Sequence, residues 1–195
     1  MKLPKRLFIT RKSSIPFLRF EKQDLSSYSG LVVFQKLFSE LNLSARLSKC
    51  SPNTEVNGHT SYSLLFRLLI VHVLIGMRKL REVDLYREDP MVKRVLGVQA
   101  LPSVATMSRL LDRCDQRSTE GLQQQSRDLV LQRLGSESLA TVTLDFDGSV
   151  ISTTRKAEGV ATGYNKKKGM RSYYPLFCTV AQSGQILDAL HRRGN

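Results

Sequence analysis

The sequence predicts an α+β chain, a helical N-terminal region followed by the start of a mixed sheet. Three observations lead there. Between residues 29 and 135 apolar residues recur every three or four positions, the spacing of helices that bury one stripe. From residue 140 the period drops to two, the alternation of a strand. Residues 173–191 then read as two strands about a Ser183-Gly184 turn.

Residues 1–28 read as a basic arm with Pro4 and Pro16, either partly disordered or forming a strand around Phe17 to Phe20. Ser29 is placed to cap a helix running to about Asn42, with Leu31, Phe34, Leu37, Phe38 and Leu41 at helical spacing. Residues 48–60 form a loop broken by Pro52, Asn53, Asn57 and Gly58. Thr60 or Ser61 opens a long apolar helix that ends near Gly76. A short helix follows from Leu80 to Arg87, and another runs from Pro90 to Gly97. Pro102-Ser103 opens a helix to about Cys114. The last spans about Thr119 to Leu134 and stops at Gly135 as a left-handed cap. Ala140 to Ser152 is a strand, 153–172 a long basic loop, and Tyr173 to Ala181 and Gln185 to His191 are strands. This divides the chain into an arm (1–28), a helical region (29–136) and the start of a sheet domain (137–195).

The strand from Tyr173 is apolar on both faces, so it calls for cover on both sides. No helix follows it in the sequence, and a half-covered sheet exposes edges and apolar surface. The expectation is that the chain is a truncated piece of a longer protein.

The 195 residues carry a formal net charge of +13, with 41% hydrophobic and 24% charged residues. That is the balance of a soluble globular protein whose partner is a polyanion, nucleic acid before membrane. A ribosomal or other basic structural protein would share it. Cys50, Cys114 and Cys178 are odd in number and far apart, as are His59, His72 and His191, so no Cys/His metal site is indicated. Reduced thiols and a cytoplasmic location are expected. No apolar run follows the basic N-terminus, and Leu64 to Met77 is too short to span a bilayer. No membrane association is expected, and His72 is read as a core or boundary histidine.

Three stretches could carry chemistry. In Thr141 to Gly148, Asp145 and Asp147 alternate with Leu144 and Phe146, which sets two carboxylates on one face about 6.6 Å apart. Such a pair repels itself unless water, a cation or a basic group intervenes. Carboxylates of this kind hold Mg²⁺ in two-metal phosphoryl transfer. An ordinary strand with a polar outer face has the same pattern. The loop around Lys166, Lys167, Lys168 and Arg171 sets four cations near tyrosines, suited to phosphate contact or simply to solvent. Last, the helices from Pro90 to Cys114 resemble a helix-turn-helix, with Thr106, Arg109 and Arg113 facing out for DNA. Any amphipathic helix after a turn looks this way, and that plainer reading is preferred.

Leu144-Asp145-Phe146-Asp147-Gly148-Ser149, then Gly163-Tyr164-Asn165-Lys166-Lys167-Lys168, Tyr174-Pro175-Leu176 and Arg193-Gly194-Asn195 form an ordered set. With it, the chain resembles bacterial insertion-sequence DDE transposases. Arg87 to Leu111 is similar to that family's helical region, so the likeness covers about residues 30–195. The resemblance implies an RNase H-like domain, here the first three strands of an incomplete mixed sheet. Its first catalytic acid is best matched by Asp147, the metal ligand, with Asp145 as the alternative. It implies three acids binding two Mg²⁺ ions, cutting double-stranded DNA at terminal inverted repeats and joining the ends to target DNA. The second Asp and the Glu would lie downstream of Asn195, which implies a fragment that is catalytically incomplete. Asp188 falls where the family has no catalytic acid. A non-catalytic remnant that occupies element ends or inhibits transposition is the alternative. Self-association or pairing with intact transposase, and a place at the bacterial nucleoid, complete the expectations.

Overall fold

The computed structural model describes residues 25–51, 61–137, 139–153, 157–162 and 170–194. Six α-helices precede six strands: α1 (Leu31–Glu40), α2 (Leu43–Ser48), α3 (Tyr62–Leu74), α4 (Pro90–Leu96), α5 (Val104–Asp112) and α6 (Gln116–Gly135). The strands are β1 (Leu144–Gly148), β2 (Ile151–Thr153), β3 (Ala161–Thr162), β4 (Arg171–Tyr173), β5 (Leu176–Val180) and β6 (Gln185–Leu190). A 3-10 helix covers Leu80–Leu85. The fold is α+β, as expected.

Local chemistry starts and stops most helices. The Ser61 hydroxyl accepts from the Leu64 amide at the head of α3. Asp89 accepts from the Met91 and Val92 amides, and Pro90 supplies a first-turn residue that needs no amide partner. Gly97, at φ 70°, ends α4 in the left-handed conformation that glycine adopts without a Cβ penalty. Ser103 caps α5 through the Thr106 amide.

Other expectations are corrected. Gly30, not Ser29, precedes α1, which has no side-chain cap and ends at Glu40 rather than Asn42. A turn from Tyr28 launches it instead, the Leu31 amide bonding the Tyr28 carbonyl. Helix α2 went unread because six residues are too few to show a period. Helix α6 begins three residues early, at Gln116, because Asp115 caps it through the Ser118 amide and hydroxyl, both at 2.8 Å. Gly135 lies inside α6, and the following Ser136 is right-handed, so no left-handed cap forms. The arm at 1–24, including Phe17 to Phe20, and 52–60 of the predicted loop lie outside the described residues.

The helices enclose one apolar core running from Leu31 to Leu110, with Leu65, Leu68, Val71 and Met107 fully buried. Helix α3 supplies the largest share of it, since it is apolar nearly all round. His72 lies in this core with Nδ1 2.6 Å from the Tyr86 hydroxyl. No described helix is long and apolar enough to cross a membrane.

The predicted first strand is divided. Residues 144–148 join a sheet of order β1-β5-β6, and 151–153 join a second of order β2-β4-β3. The predicted strand from Tyr173 is divided likewise at Tyr174-Pro175, because proline donates nothing to a ladder. The expected loop 153–172 contains β3 and β4. Every pairing among the described strands is antiparallel. Helix α6 packs on β6, where the Gln123 amide donates to the Ala189 carbonyl and Arg127 pairs with Asp188 at 2.9 Å.

Candidate active site

Strand β1 lies at the edge of its sheet. Register pairs Asp145 with Thr179 and Asp147 with Phe177, while Leu144 and Phe146 face Val180 and Cys178. Paired residues share a face in an antiparallel sheet. The acids therefore stand together on one face, and Leu144 and Phe146 on the other. Cys178, Val180 and Asp188 belong to that second face, the side that α6 covers. The acid face has no such cover: Asp145, Asp147 and Ile186 are all exposed. Neither aspartate has a hydrogen bond or an ion pair among the described residues.

The strand end beside Asp147 is built from residues distant in sequence. The Tyr174 ring lies against Gly148 so closely that a Cβ there would be 2.5 Å from the ring carbon Cζ. A side chain at 148 would push the end of the Tyr174 ring aside, so glycine permits this approach. The Arg192 guanidinium stacks over the same ring, 5.2 Å from its centre, and its Nε donates to the Tyr174 carbonyl. The Tyr174 amide donates back to the Arg192 carbonyl, and Ser149 donates to the Pro175 carbonyl. Tyr173 bridges to Arg193, and Gly194 nests against the Ser172 backbone, where a Cβ would overlap the carbonyl. Gly148, Tyr174-Pro175 and Arg193-Gly194, three separate pieces of the sequence signature, thus meet in space. Tyr174 as a platform and Arg192 as its cationic lid were not singled out from sequence. Tyr174 belongs to that signature, and Arg192 immediately precedes its Arg193-Gly194 piece.

The cationic candidates divide. Arg171 is exposed on β4, opposite Thr153 and Thr162. Lys166, Lys167 and Lys168 lie outside the described residues. On α5, Met107 and Leu110 are buried while Arg109 and Arg113 are exposed, the amphipathic arrangement expected. Thr106 is half-buried, its hydroxyl 2.9 Å from the Ser103 hydroxyl. Arg109 folds back along its own helix, with Nε donating to the Ala105 carbonyl. Helix α5 packs on α3 and the 3-10 helix, and α4 packs on α1 and α3. The two flank α3 rather than forming a closely packed pair of their own.

Asp145 and Asp147 offer the hard oxygen donors that Mg²⁺ takes, and neither is engaged by another side chain among the described residues. They suit one wall of a metal site. Among the described residues no group of three His, Cys, Asp or Glu side chains gathers to complete one.

Residues 11–195 match the family described as transposase DDE domain group 1, and the chain belongs to that family. It is therefore a transposase of the DDE, insertion-sequence type, a family that acts on DNA with divalent metal ions. No curated protein and no solved structure matches the chain.

Proposed function

We propose that the chain binds the terminal inverted repeats of an insertion sequence as double-stranded DNA and contributes the first metal-anchoring acid of a strand-cleaving centre. The observation that carries this reading is the uncommitted pair Asp145 and Asp147 on the open face of β1. Asp147 is the preferred Mg²⁺ ligand, because it adjoins the Gly148–Tyr174 contact that holds the strand end. Asp145 is the alternative. Bound Mg²⁺ would supply activation of the attacking oxygen and stabilisation of the leaving one. This chain's own residues would position the DNA. Lys166, Lys167, Lys168 and Arg171 would contact phosphates, and Thr106, Arg109 and Arg113 would present α5 to the duplex. Self-association or pairing with intact transposase would bring two element ends together.

The decisive experiment is a mobility-shift titration with repeat DNA and unrelated duplex across a salt series. Preferential repeat binding with a steep salt slope is expected. Arg109→Ala and Arg113→Ala should reduce the preference, and Arg171→Ala should weaken both DNAs alike. Absence of binding at low salt would refute the reading. Two carboxylates without a third partner among the described residues favour a second reading, a non-catalytic remnant that occupies element ends. It predicts repeat binding with no cleavage. Mg²⁺-dependent nicking that disappears in Asp147→Ala would eliminate it.

A further inference from the structure

A cleft of about 370 Å³ opens between the last turn of α1, the α1–α2 junction, Arg67 of α3 and the last turn of α4. Its volume falls in the range of small-ligand sites, about 300–1,000 Å³. Two guanidinium groups line it, Arg67 and Arg94, and no carboxylate does. Arg67 is half-buried and its Nε is a fully buried donor with no partner. Neither arginine makes an ion pair among the described residues. A half-buried guanidinium has lost part of its hydration, so an acceptor in the cleft that bonds the remaining N–H groups of Arg67 is favoured. Ser39 and Asn42 add polar groups on one side, and Phe38 and Leu96 supply an apolar lining.

The electrostatic balance selects the ligand's charge. The arginines contribute two positive charges. The C-terminal ends of α1 and α4 reach the cleft and offset part of this, while the N-terminus of α2, at Asn42 to Ser44, adds to it. The balance stays positive, which favours an anion. Arginine's planar fork suits phosphate oxygens and keeps its charge even when burial lowers its pKa, as it does for Arg67.

We propose that the Arg67–Arg94 cleft is a phosphate-oxyanion site, distinct from the β1 acids and from α5. Either a backbone phosphodiester of DNA or a free phosphate-bearing ligand could supply the group, and the test separates them.

Inorganic phosphate is titrated into the whole chain at low ionic strength, followed by calorimetry and by the arginine Nε–H resonances. Saturable binding is expected. Arg94→Gln and Arg67→Gln should each weaken it at least ten-fold, and Arg94→Lys by less. Arg94 is exposed, so its variant carries the test if Arg67→Gln fails to fold. The same variants are then compared on duplex DNA across a salt series. A fall in the log–log salt slope of about 0.9 assigns the phosphate to the DNA backbone. An unchanged slope with phosphate binding lost assigns it to a free ligand, and leaves the DNA reading of α5 untouched. Phosphate binding that is absent from the wild type, or that survives both substitutions, overturns the proposal whatever the DNA result.

Discussion

Between Leu31 and Leu110 the helices bury their apolar residues in one continuous cluster, whereas in the β1-β5-β6 sheet only Cys178 and Val180 reach comparable burial. Phe146 stands 67% exposed at the centre of β1, and Leu144, Ile186 and Leu190 are exposed as well. Both regions carry a regular apolar pattern, with different periods, so the presence of such a pattern does not separate them. Geometry does. A helix bundle closes on itself, because each helix presents its stripe to several others. A sheet has two faces, and here one helix, α6, covers part of one of them. The lesson is that stability resides in the helices, while the acid-bearing strand is held mainly by its neighbour β5 and by the Tyr174–Arg192 contact.

The contrast breaks most visibly under truncation of side chains. Leu68→Ala, at a fully buried position, should cost about 2–5 kcal/mol, whereas Phe146→Ala should fall within about 0.5 kcal/mol. Denaturant melts of the two variants measure the difference. Equal losses would mean that the sheet is packed as tightly as the bundle. Next in size is Gly194→Ala. Its Cβ would meet the Ser172 carbonyl and carbonyl carbon, backbone that moves only with the strand, for roughly 1–3 kcal/mol. Gly148→Ala meets only the end of the Tyr174 ring and should cost less. Tyr174→Ala should remove most of that cost, which a double-mutant cycle would register.

Within the bundle, Tyr86→Phe removes the hydroxyl bonded to His72 and should cost about 1–2 kcal/mol. The pair also sets a pH dependence. Burial depresses the His72 pKa, partly offset by the Lys79 carbonyl and the Glu82 charge, and burial raises that of Tyr86. No hydrogen bond to Nε2 forms in good geometry, so burial is the dominant influence on the ring. The unfolded chain then takes up the His72 proton first. The stability from this site is complete above the unfolded pKa of about 6.5 and declines as pH falls below it. A melting temperature that does not fall between pH 7 and pH 5 more steeply than that of His72→Gln would contradict this. The smallest expected effect is at the join between the regions. Arg127→Ala removes a half-exposed pair with Asp188 and should cost about 0.2–1 kcal/mol, less at high salt.

Much of the fold was legible because its signals are local. Ser61, Pro90, Gly97 and Ser103 act within one turn of themselves, and each does in the structure what its position implied. Alternation over 144–147 likewise determined that Asp145 and Asp147 share a face. Which residues meet Gly148, that Tyr174 carries Arg192, and that Arg67 and Arg94 open on one cleft depend on segments about twenty to thirty residues apart in the chain. Local periodicity holds no record of such meetings. The break of one predicted strand into β1 and β2 has the same origin, since pairing with β5 or with β4 is chosen by partners elsewhere in the chain. Sequence alone determined most of the helices and that the two acids share a side. Tertiary structure decided what covers them, because burial is a property of two surfaces and a strand supplies only one.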